Sequence, residues 1–177
     1  MIYEPSEDSF LLAKEVKKLA KGKSFLDMGA GSGIQSEYAK SAGSKNILAV
    51  DINPKVVQFL KKKSIPAQVS DLFSKVEGKF DLIAFNPPYL PEDKLEDGES
   101  RRITTGGKIG DEIILRFLKD APKHLNDNGA VLLLLSSLTP RQHILSLLNR
   151  LNMMYEVIAE EKLFFEKLEV WKIDPSV

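Results

Sequence analysis

The chain has 177 residues, the size of one ordinary domain, with 43% apolar and 28% charged residues. This composition argues against a disordered or fibrous protein. The 25 basic and 25 acidic residues give a net charge of zero, which disfavours a protein that binds nucleic acid mainly through its phosphates. The absence of cysteine excludes disulfides, a thiolate zinc site and a cysteine nucleophile, and the two histidines fit a zinc hydrolase poorly. We therefore expect one domain over residues 1–177, with no metal site of its own.

The N-terminal residues are acidic and turn-like, whereas a secretory signal is basic and then apolar. The longest strongly apolar run, 130–135, is far shorter than the 18 or more residues that span a bilayer. These features predict a cytoplasmic protein with no membrane partner.

Hydrophobic spacing, helix caps and turn residues predict helices that alternate with strands along most of the chain. A long stretch without periodicity, 90–109, is predicted to be a loop, and loops of that length are usually functional or disordered. In chain order the predicted elements are a helix 6–20, a strand 24–28, a helix 34–41, a strand 46–50, a helix 54–63, a weak strand 67–70, a strand 80–85, a helix 111–125, a strand 129–135, a helix 140–151 and strands 155–160 and 164–173.

This alternation predicts an α/β fold: a Rossmann-like, seven-stranded, mostly parallel sheet with helices on both faces. The last two strands have no helix between them, so they should form an antiparallel C-terminal hairpin at one edge of the sheet. Ligands in such sheets bind beyond the carboxyl ends of the strands, where the strand order reverses. The residues that follow the strands are therefore the candidate binding and catalytic residues.

Gly29, Gly31 and Gly33 occupy alternate positions after a predicted strand and before a predicted helix, which lets backbone N–H groups approach a ligand. Alone, this pattern is equally compatible with a tight turn. Asp51 ends the next strand about 20 residues later, where a carboxylate can accept both hydroxyls of an adenosine ribose. The NAD fingerprint places its third glycine where this chain has Ile34, so the spacing favours S-adenosylmethionine.

A further pair, Asp71 and Leu72, follows the weak third strand. The carboxylate could accept from the adenine amino group while the leucine packs on the ring. Asp71 could instead cap a turn, so this prediction depends on the rest of the site.

Asn86-Pro87-Pro88-Tyr89 follows the fourth predicted strand and is the most specific motif in the chain. The two prolines restrict the backbone and remove N–H donors, so the Asn86 side-chain oxygen and the Pro87 carbonyl can both accept from one planar NH2 group. Tyr89 offers an aromatic face for that group. The alternative is a rigid turn in which the Asn86 side chain is already hydrogen-bonded within the protein.

Acceptors on the hydrogens of an amide or aryl amine help localise the nitrogen lone pair toward an electrophile. The methyl sulfonium of S-adenosylmethionine is already activated by its positive charge, so the protein's task is alignment for in-line displacement. The two motifs together therefore predict methyl transfer to a planar nitrogen.

With these motifs, the chain resembles the class I S-adenosylmethionine-dependent methyltransferases, and more closely the HemK/PrmC-like protein glutamine N5-methyltransferases. The segments that resemble the archaeal and eukaryotic release-factor branch are Tyr3-Glu-Pro-Ser-Glu-Asp-Ser-Phe-Leu-Leu12, Asp51-Ile-Asn-Pro54, Asn86-Pro-Pro-Tyr89, Gly106-Gly107 and Arg116-Phe-Leu118. The match departs at Thr104-Thr105, where family members usually carry an aromatic and a small residue.

The resemblance implies roles position by position. Asn86 and Tyr89 would bind the substrate amide, and Asn86 to Tyr89 would form the catalytic motif. The implied cofactor-binding residues are Ser9, Asp27, Gly29, Gly31, Gly33, Asp51, Ile52, Asp71, Leu72 and Asn86. Among them, Ser9 would lie near the methionine end of the cofactor, and Ile52 would lie beside the Asp51 carboxylate that binds the ribose.

The resemblance also implies the substrate: the glutamine of a Gly-Gly-Gln motif in a peptide chain release factor. Enzymes of this branch commonly work with a small zinc-binding activator subunit that pairs with a sheet edge, and the weak strand 67–70 is the predicted edge. The zinc would belong to the partner.

Three alternatives remain open from the sequence. Adenine N6 and the exocyclic amine of guanine are also planar NH2 groups, so a nucleic-acid methyltransferase is the main rival, although zero net charge and the lack of a second domain disfavour it as a base-flipping enzyme. A protein lysine methyltransferase fits less well, because an ammonium has no planar amide for Asn86 to hold. A non-catalytic adenosine-ligand binding module is the third.

Overall fold

A computed structural model of the protein describes residues 4–88 and 110–176. Tyr89 and the loop predicted over 90–109 lie outside these residues. Within them the elements are α1 (Glu7–Leu19), β1 (Phe25–Met28), α2 (Ile34–Ser41), β2 (Ile47–Asp51), α3 (Pro54–Lys62), β3 (Ala67–Val69), β4 (Phe80–Phe85), α4 (Glu112–Asp120), a 3-10 helix (Ala121–His124), β5 (Leu125–Ser136), α5 (Gln142–Arg150), β6 (Met153–Lys162) and β7 (Lys167–Pro175).

The strands form one seven-stranded sheet in the order β3-β2-β1-β4-β5-β7-β6. β1 to β5 pair in parallel, and β7 pairs antiparallel with both β5 and β6. The predicted fold class, with its antiparallel C-terminal hairpin, is confirmed. The chain order reverses between β1 and β4, so the carboxyl ends of β1, β2, β4 and β5 share one edge of the sheet, which we call the site edge.

The central strands are apolar on both sides because both faces of the sheet are covered. In β5, Val131 and Leu133 pack with α4 and α5 residues on one face, whereas Leu132 and Leu134 pack with α1 on the other. The strand's continuous apolar run follows from this arrangement, since successive side chains point to opposite faces.

The predicted helix 111–125 is too long at its C-terminal end. α4 ends at Asp120, a 3-10 turn follows, and Leu125 already belongs to β5. Pro122 explains the change, because proline has no N–H to donate and its ring clashes with the carbonyl four residues earlier in an α-helix. The predicted α/β alternation is unaffected.

The predicted last strand, 164–173, begins too early. Lys167 is the first residue of β7 and pairs with Lys162 of β6, so Phe164 and Phe165 lie in the hairpin turn. Their aromatic side chains favour a strand locally, but four residues are needed to reverse the chain between the paired lysines.

The weak strand predicted over 67–70 forms the outer edge of the sheet as β3. It contributes three residues and pairs with β2, which leaves its other side without a strand among the described residues. No helix within 4–88 or 110–176 has the length and apolar character of a membrane span.

Candidate active site

The glycine loop leaves β1 at the site edge and enters α2. Gly29, Gly31 and Gly33 all have positive φ, a conformation that side chains with a Cβ rarely adopt. A Cβ at Gly33 would lie 2.6 Å from a Leu60 methyl carbon, and one at Gly29 would lie 3.2 Å from the Phe85 ring. Backbone conformation therefore favours glycine at all three positions, and limited space also favours it at Gly29 and Gly33, where the loop lies close to core side chains.

Asp27 anchors the helix that follows this loop. Its carboxylate is 1% exposed and accepts from the Ser36 backbone N–H at 2.9 Å and the Ser36 hydroxyl at 2.7 Å. Burial raises the pKa of Asp27 to about 7, although the two bonds from Ser36 oppose the shift and the nearby Asp51 charge adds to it. Asp27 thus joins β1 to α2 beneath the glycine loop.

Asp51 closes β2 directly across the loop. One carboxylate oxygen accepts from the Gly31 N–H at 3.1 Å, and the other accepts from the Asn53 N–H at 2.9 Å. Burial raises the pKa of Asp51, and these two backbone bonds oppose the shift. Each oxygen retains a lone pair after its backbone bond, so the carboxylate can still accept from a pair of ribose hydroxyls.

Ile52 adjoins this carboxylate and is 67% exposed. An apolar side chain in solvent next to a polar binding group suits a planar ring such as adenine. The end of β2 therefore offers a carboxylate acceptor and an exposed apolar side chain at successive positions.

Asp71 follows β3 at the same edge, but it already has a partner. Its carboxylate accepts from the Arg116 guanidinium at 2.8 Å, and both side chains are exposed. Leu72 has φ +48° and packs partly buried against the core. An adenine amino group at Asp71 would share the carboxylate with this arginine, a feature that the sequence pattern did not indicate.

Asn86 follows β4 and reaches across to the start of α1. Its side-chain nitrogen donates to a carboxylate oxygen of Asp8 at 3.0 Å. Because a carboxylate only accepts, this bond dictates which end of the amide faces Asp8. The Asn86 side-chain oxygen is buried, and no donor within the described part of the chain reaches it. A buried acceptor left without a donor costs about 1–3 kcal/mol, so this atom is suited to a ligand that donates.

Asp8 is a site residue that the sequence analysis missed. It is 4% exposed, and its other oxygen accepts from the Ser9 N–H at 2.5 Å and the Ser6 hydroxyl at 2.7 Å. The sequence showed only an acidic residue in the first turn of a helix, where carboxylates are common for dipole reasons alone. Its contact with Asn86 spans 78 positions, and local sequence carried no signal for that pairing.

Ser9 is held in the same cluster. Its hydroxyl donates to Asp8 at 3.1 Å, and its carbonyl accepts from the Gln35 side-chain nitrogen at 3.0 Å. Since Gln35 belongs to α2, these bonds bring the start of α1, the glycine loop and Asn86 together. The predicted residues Ser9, Asp27, Asp51 and Asn86 thus lie on elements that meet at the site edge.

Comparisons with known proteins give a consistent result. The methyltransferase small domain family matches residues 6–165. A Methanocaldococcus jannaschii protein with the provisional name protein N5-glutamine methyltransferase is 40% identical over 183 residues, covering 97% of this chain and 92% of the relative.

Two solved structures share the fold. The E. cuniculi Mtq2-Trm112 complex, responsible for methylation of the eRF1 translation termination factor, gives a TM-score of 0.80 at 24% identity and 99% coverage of each chain. A Bacteroides fragilis S-adenosylmethionine-dependent methyltransferase bound to S-adenosyl-L-homocysteine gives 0.67 at 18% identity, covering 98% of this chain and 83% of that one.

The glycine loop, the Asp51 carboxylate and the exposed Ile52 fit an adenosine-bearing cofactor, and the resemblance inferred from the motifs is confirmed. The chain belongs to the methyltransferase small domain family and is an S-adenosylmethionine-dependent methyltransferase.

Proposed function

We propose that this enzyme methylates the side-chain amide nitrogen, N5, of the glutamine in the Gly-Gly-Gln motif of a peptide chain release factor. The observation that carries the proposal is the Asn86 amide, whose nitrogen is held by Asp8 while its buried oxygen has no donor among the described residues. The provisional name of the M. jannaschii relative supports glutamine N5 as the acceptor, and the methylation of eRF1 by the E. cuniculi complex supports a release factor as the protein that carries it.

The proposed chemistry follows from the substrate amide. Its nitrogen is a weak nucleophile because the lone pair is delocalised into the carbonyl. The Asn86 oxygen accepts one N–H of the substrate, and the Pro87 carbonyl accepts the other. Both acceptors increase the electron density at nitrogen and orient its lone pair, which is the positioning contribution that the protein makes to transfer. Tyr89 packs on the planar amide in this proposal.

The remaining predicted residues bind the cofactor, which supplies a methyl group on a positively charged sulfur. Asp51 accepts from the ribose hydroxyls, Ile52 packs on the adenine, and Asp71 with Leu72 binds its far side. Ser9 and Asp27 lie toward the methionine end, beside the glycine loop. Asp51 can take this role without losing its loop contacts, since each oxygen makes one bond to a backbone N–H.

A small zinc-binding activator subunit is proposed as a partner. The E. cuniculi neighbour is a complex of two proteins, and here the edge strand β3 has one side without a strand partner in residues 4–88 and 110–176. A partner strand added to β3 would satisfy its free backbone groups. The zinc ligands would come from the partner.

The test is transfer of a radiolabelled methyl group from S-adenosylmethionine, with and without the candidate activator subunit. The acceptors are a release factor, the same factor with its Gly-Gly-Gln glutamine changed to alanine, and single-stranded and duplex nucleic acid. We expect label on the unmodified factor alone. Label that survives loss of the glutamine, or that appears on nucleic acid instead, would overturn the proposal.

A pair of enzyme variants ties the result to the site. Asn86→Ala should abolish labelling of the release factor. Asn149→Ala changes an exposed asparagine on α5 and should leave labelling at the wild-type level. Equal labelling by both variants would show that Asn86 does not hold the substrate.

A further inference from the structure

The β6–β7 turn exposes two neighbouring phenylalanines. Phe164 is 92% exposed and Phe165 is 86% exposed, and their rings meet edge to face with centroids 4.7 Å apart. Single apolar side chains on a surface are ordinary, but an adjacent aromatic pair in solvent adds nothing to the core. Such pairs are typical of surfaces that bind another molecule.

The sheet register places this turn at the site edge. Leu168 at the start of β7 pairs with Ser136 at the end of β5, and β5 runs parallel to β4, which ends next to Asn86. Neighbouring strands lie about 4.8 Å apart, so the turn between β7 and β6 is displaced about 10–15 Å across the sheet from β4. The turn also lies about 15 Å further along the strand direction than Asn86, at about 3.3 Å per residue. The phenylalanine pair therefore lies at the site edge about 20 Å from Asn86.

Two other exposed apolar side chains lie on segments at the same edge of the sheet. Leu138, 50% exposed, lies in the segment that follows β5, and a bond from the Ser137 N–H to the Lys167 carbonyl at 2.8 Å joins this segment to the hairpin. Phe10, 44% exposed, lies in the first turns of α1, next to the cluster that holds Asn86. We call Phe10, Leu138, Phe164 and Phe165 the apolar rim.

The hairpin that carries the pair is held firmly at its base. Lys167 bridges Glu160 at 2.7 Å and Glu169 at 2.6 Å, and Arg141 from the start of α5 reaches Glu169 at 3.0 Å. Leu163 packs partly buried against the core on the α1 face. The turn that carries Phe164 and Phe165 thus projects from a base that is joined to the rest of the sheet by these ion pairs.

We propose that the apolar rim is the docking surface for a folded protein substrate, around the point where the target glutamine enters. This inference rests on the proposed function. A typical protein interface covers about 800 Å² per partner, a disc about 32 Å across, so one such footprint can include both Asn86 and the turn about 20 Å away. Residues 160–167 carry three carboxylates and two lysines, which disfavours a phosphate backbone as the occupant.

The experiment compares steady-state kinetics of the wild-type enzyme and Phe164→Ala/Phe165→Ala on two acceptors: the intact release factor and a short peptide with the Gly-Gly-Gln sequence. For the double variant we expect KM for the intact factor to rise at least about tenfold, with kcat unchanged. The peptide is too short to reach the rim, so its kinetics should not change. Met154→Ala is the matched control, since Met154 is a 53% exposed apolar residue at the opposite end of β6.

Three kinetic outcomes would overturn the inference: an unchanged KM of the double variant for the intact factor, an equal loss of its activity on the peptide, or an equal effect of Met154→Ala. A difference in sedimentation between the wild type and the double variant would also overturn it, because it would show that a second copy of the chain covers the rim. Loss of nucleic-acid binding by the double variant, with unchanged kinetics on the intact release factor, would likewise contradict the inference. A wild-type enzyme that labels neither acceptor in the presence of the candidate activator subunit refutes the proposed function itself. An active wild type with an equally active double variant refutes only the rim.

Discussion

The hydrogen bond between Asp8 and Asn86 makes a quantitative prediction about catalysis. Asp8→Ala removes the acceptor that holds the Asn86 nitrogen, so the amide can rotate and its oxygen no longer faces the substrate in one orientation. A hydrogen bond to a charged group contributes about 1.5–3 kcal/mol. At 1.36 kcal/mol per factor of ten, complete loss of this positioning lowers kcat by about tenfold to about 150-fold.

Asp8→Asn distinguishes positioning from charge. The new amide oxygen can still accept from Asn86, with a neutral bond of roughly half the strength. We expect a smaller reduction in kcat than for Asp8→Ala. The assay is initial-rate methyl transfer at saturating release factor and saturating S-adenosylmethionine. Cofactor binding is measured separately by calorimetry, because Asp8 also holds Ser9, which is proposed to lie near the methionine end of the cofactor.

A control variant separates the loss of the Asn86 contact from a loosening of the start of α1. Asp8 also accepts from Ser6 and Ser9, so its removal can loosen the helix as well as the amide. Ser6→Ala removes one of the helix-start bonds and keeps the contact with Asn86, and it should retain nearly full kcat. Our reasoning is refuted if Asp8→Ala turns over at the wild-type rate, or if Ser6→Ala is equally impaired.

Three further predictions concern residues of the site. Asn86→Ala should lower kcat below detection while the calorimetric affinity for S-adenosylmethionine stays unchanged; equal loss of both would contradict the substrate role. Asp51→Ala should weaken S-adenosylmethionine binding at least tenfold, because a carboxylate that accepts from ribose hydroxyls is removed, and an unchanged dissociation constant would exclude that contact. Asp27 should make the free energy of unfolding depend on pH. Its carboxyl group stays protonated up to about pH 7 in the folded state but loses its proton near pH 3.8 in the unfolded chain. The free energy of unfolding should therefore fall by on the order of 4 kcal/mol as the pH rises through that window. Denaturant titrations without cofactor should show a fall in stability in the wild type that is smaller by this amount in Asp27→Asn, whose amide oxygen can still accept from Ser36; equal slopes would refute the assignment.

Local sequence determined the order of the elements and the chemistry of the motifs. The strand before the glycine loop, the acidic end of β2 and the apolar run of β5 all follow from periodicity and turn residues within short windows. Because a strand, helix and strand in succession form a right-handed crossover, the alternating elements predict a parallel sheet. Ligands of parallel sheets bind at the carboxyl ends of the strands, so the sequence also predicts the edge that carries the site. Boundaries were less certain, as the end of α4 at Asp120 and the late start of β7 at Lys167 illustrate.

Only the tertiary structure decided which polar groups meet. The sequence identified Asn86 as an acceptor, but packing of α1 against the sheet brought Asp8 to it and so oriented the amide. Packing of α4 likewise gave Asp71 the Arg116 guanidinium as a partner, and the sheet register placed Phe164 and Phe165 at the site edge. These pairings join residues distant in the chain, and their geometry depends on the packing of whole elements. Residue types and spacing therefore determined the motifs and the reaction class, whereas long-range packing decided how the groups are held and what surrounds them.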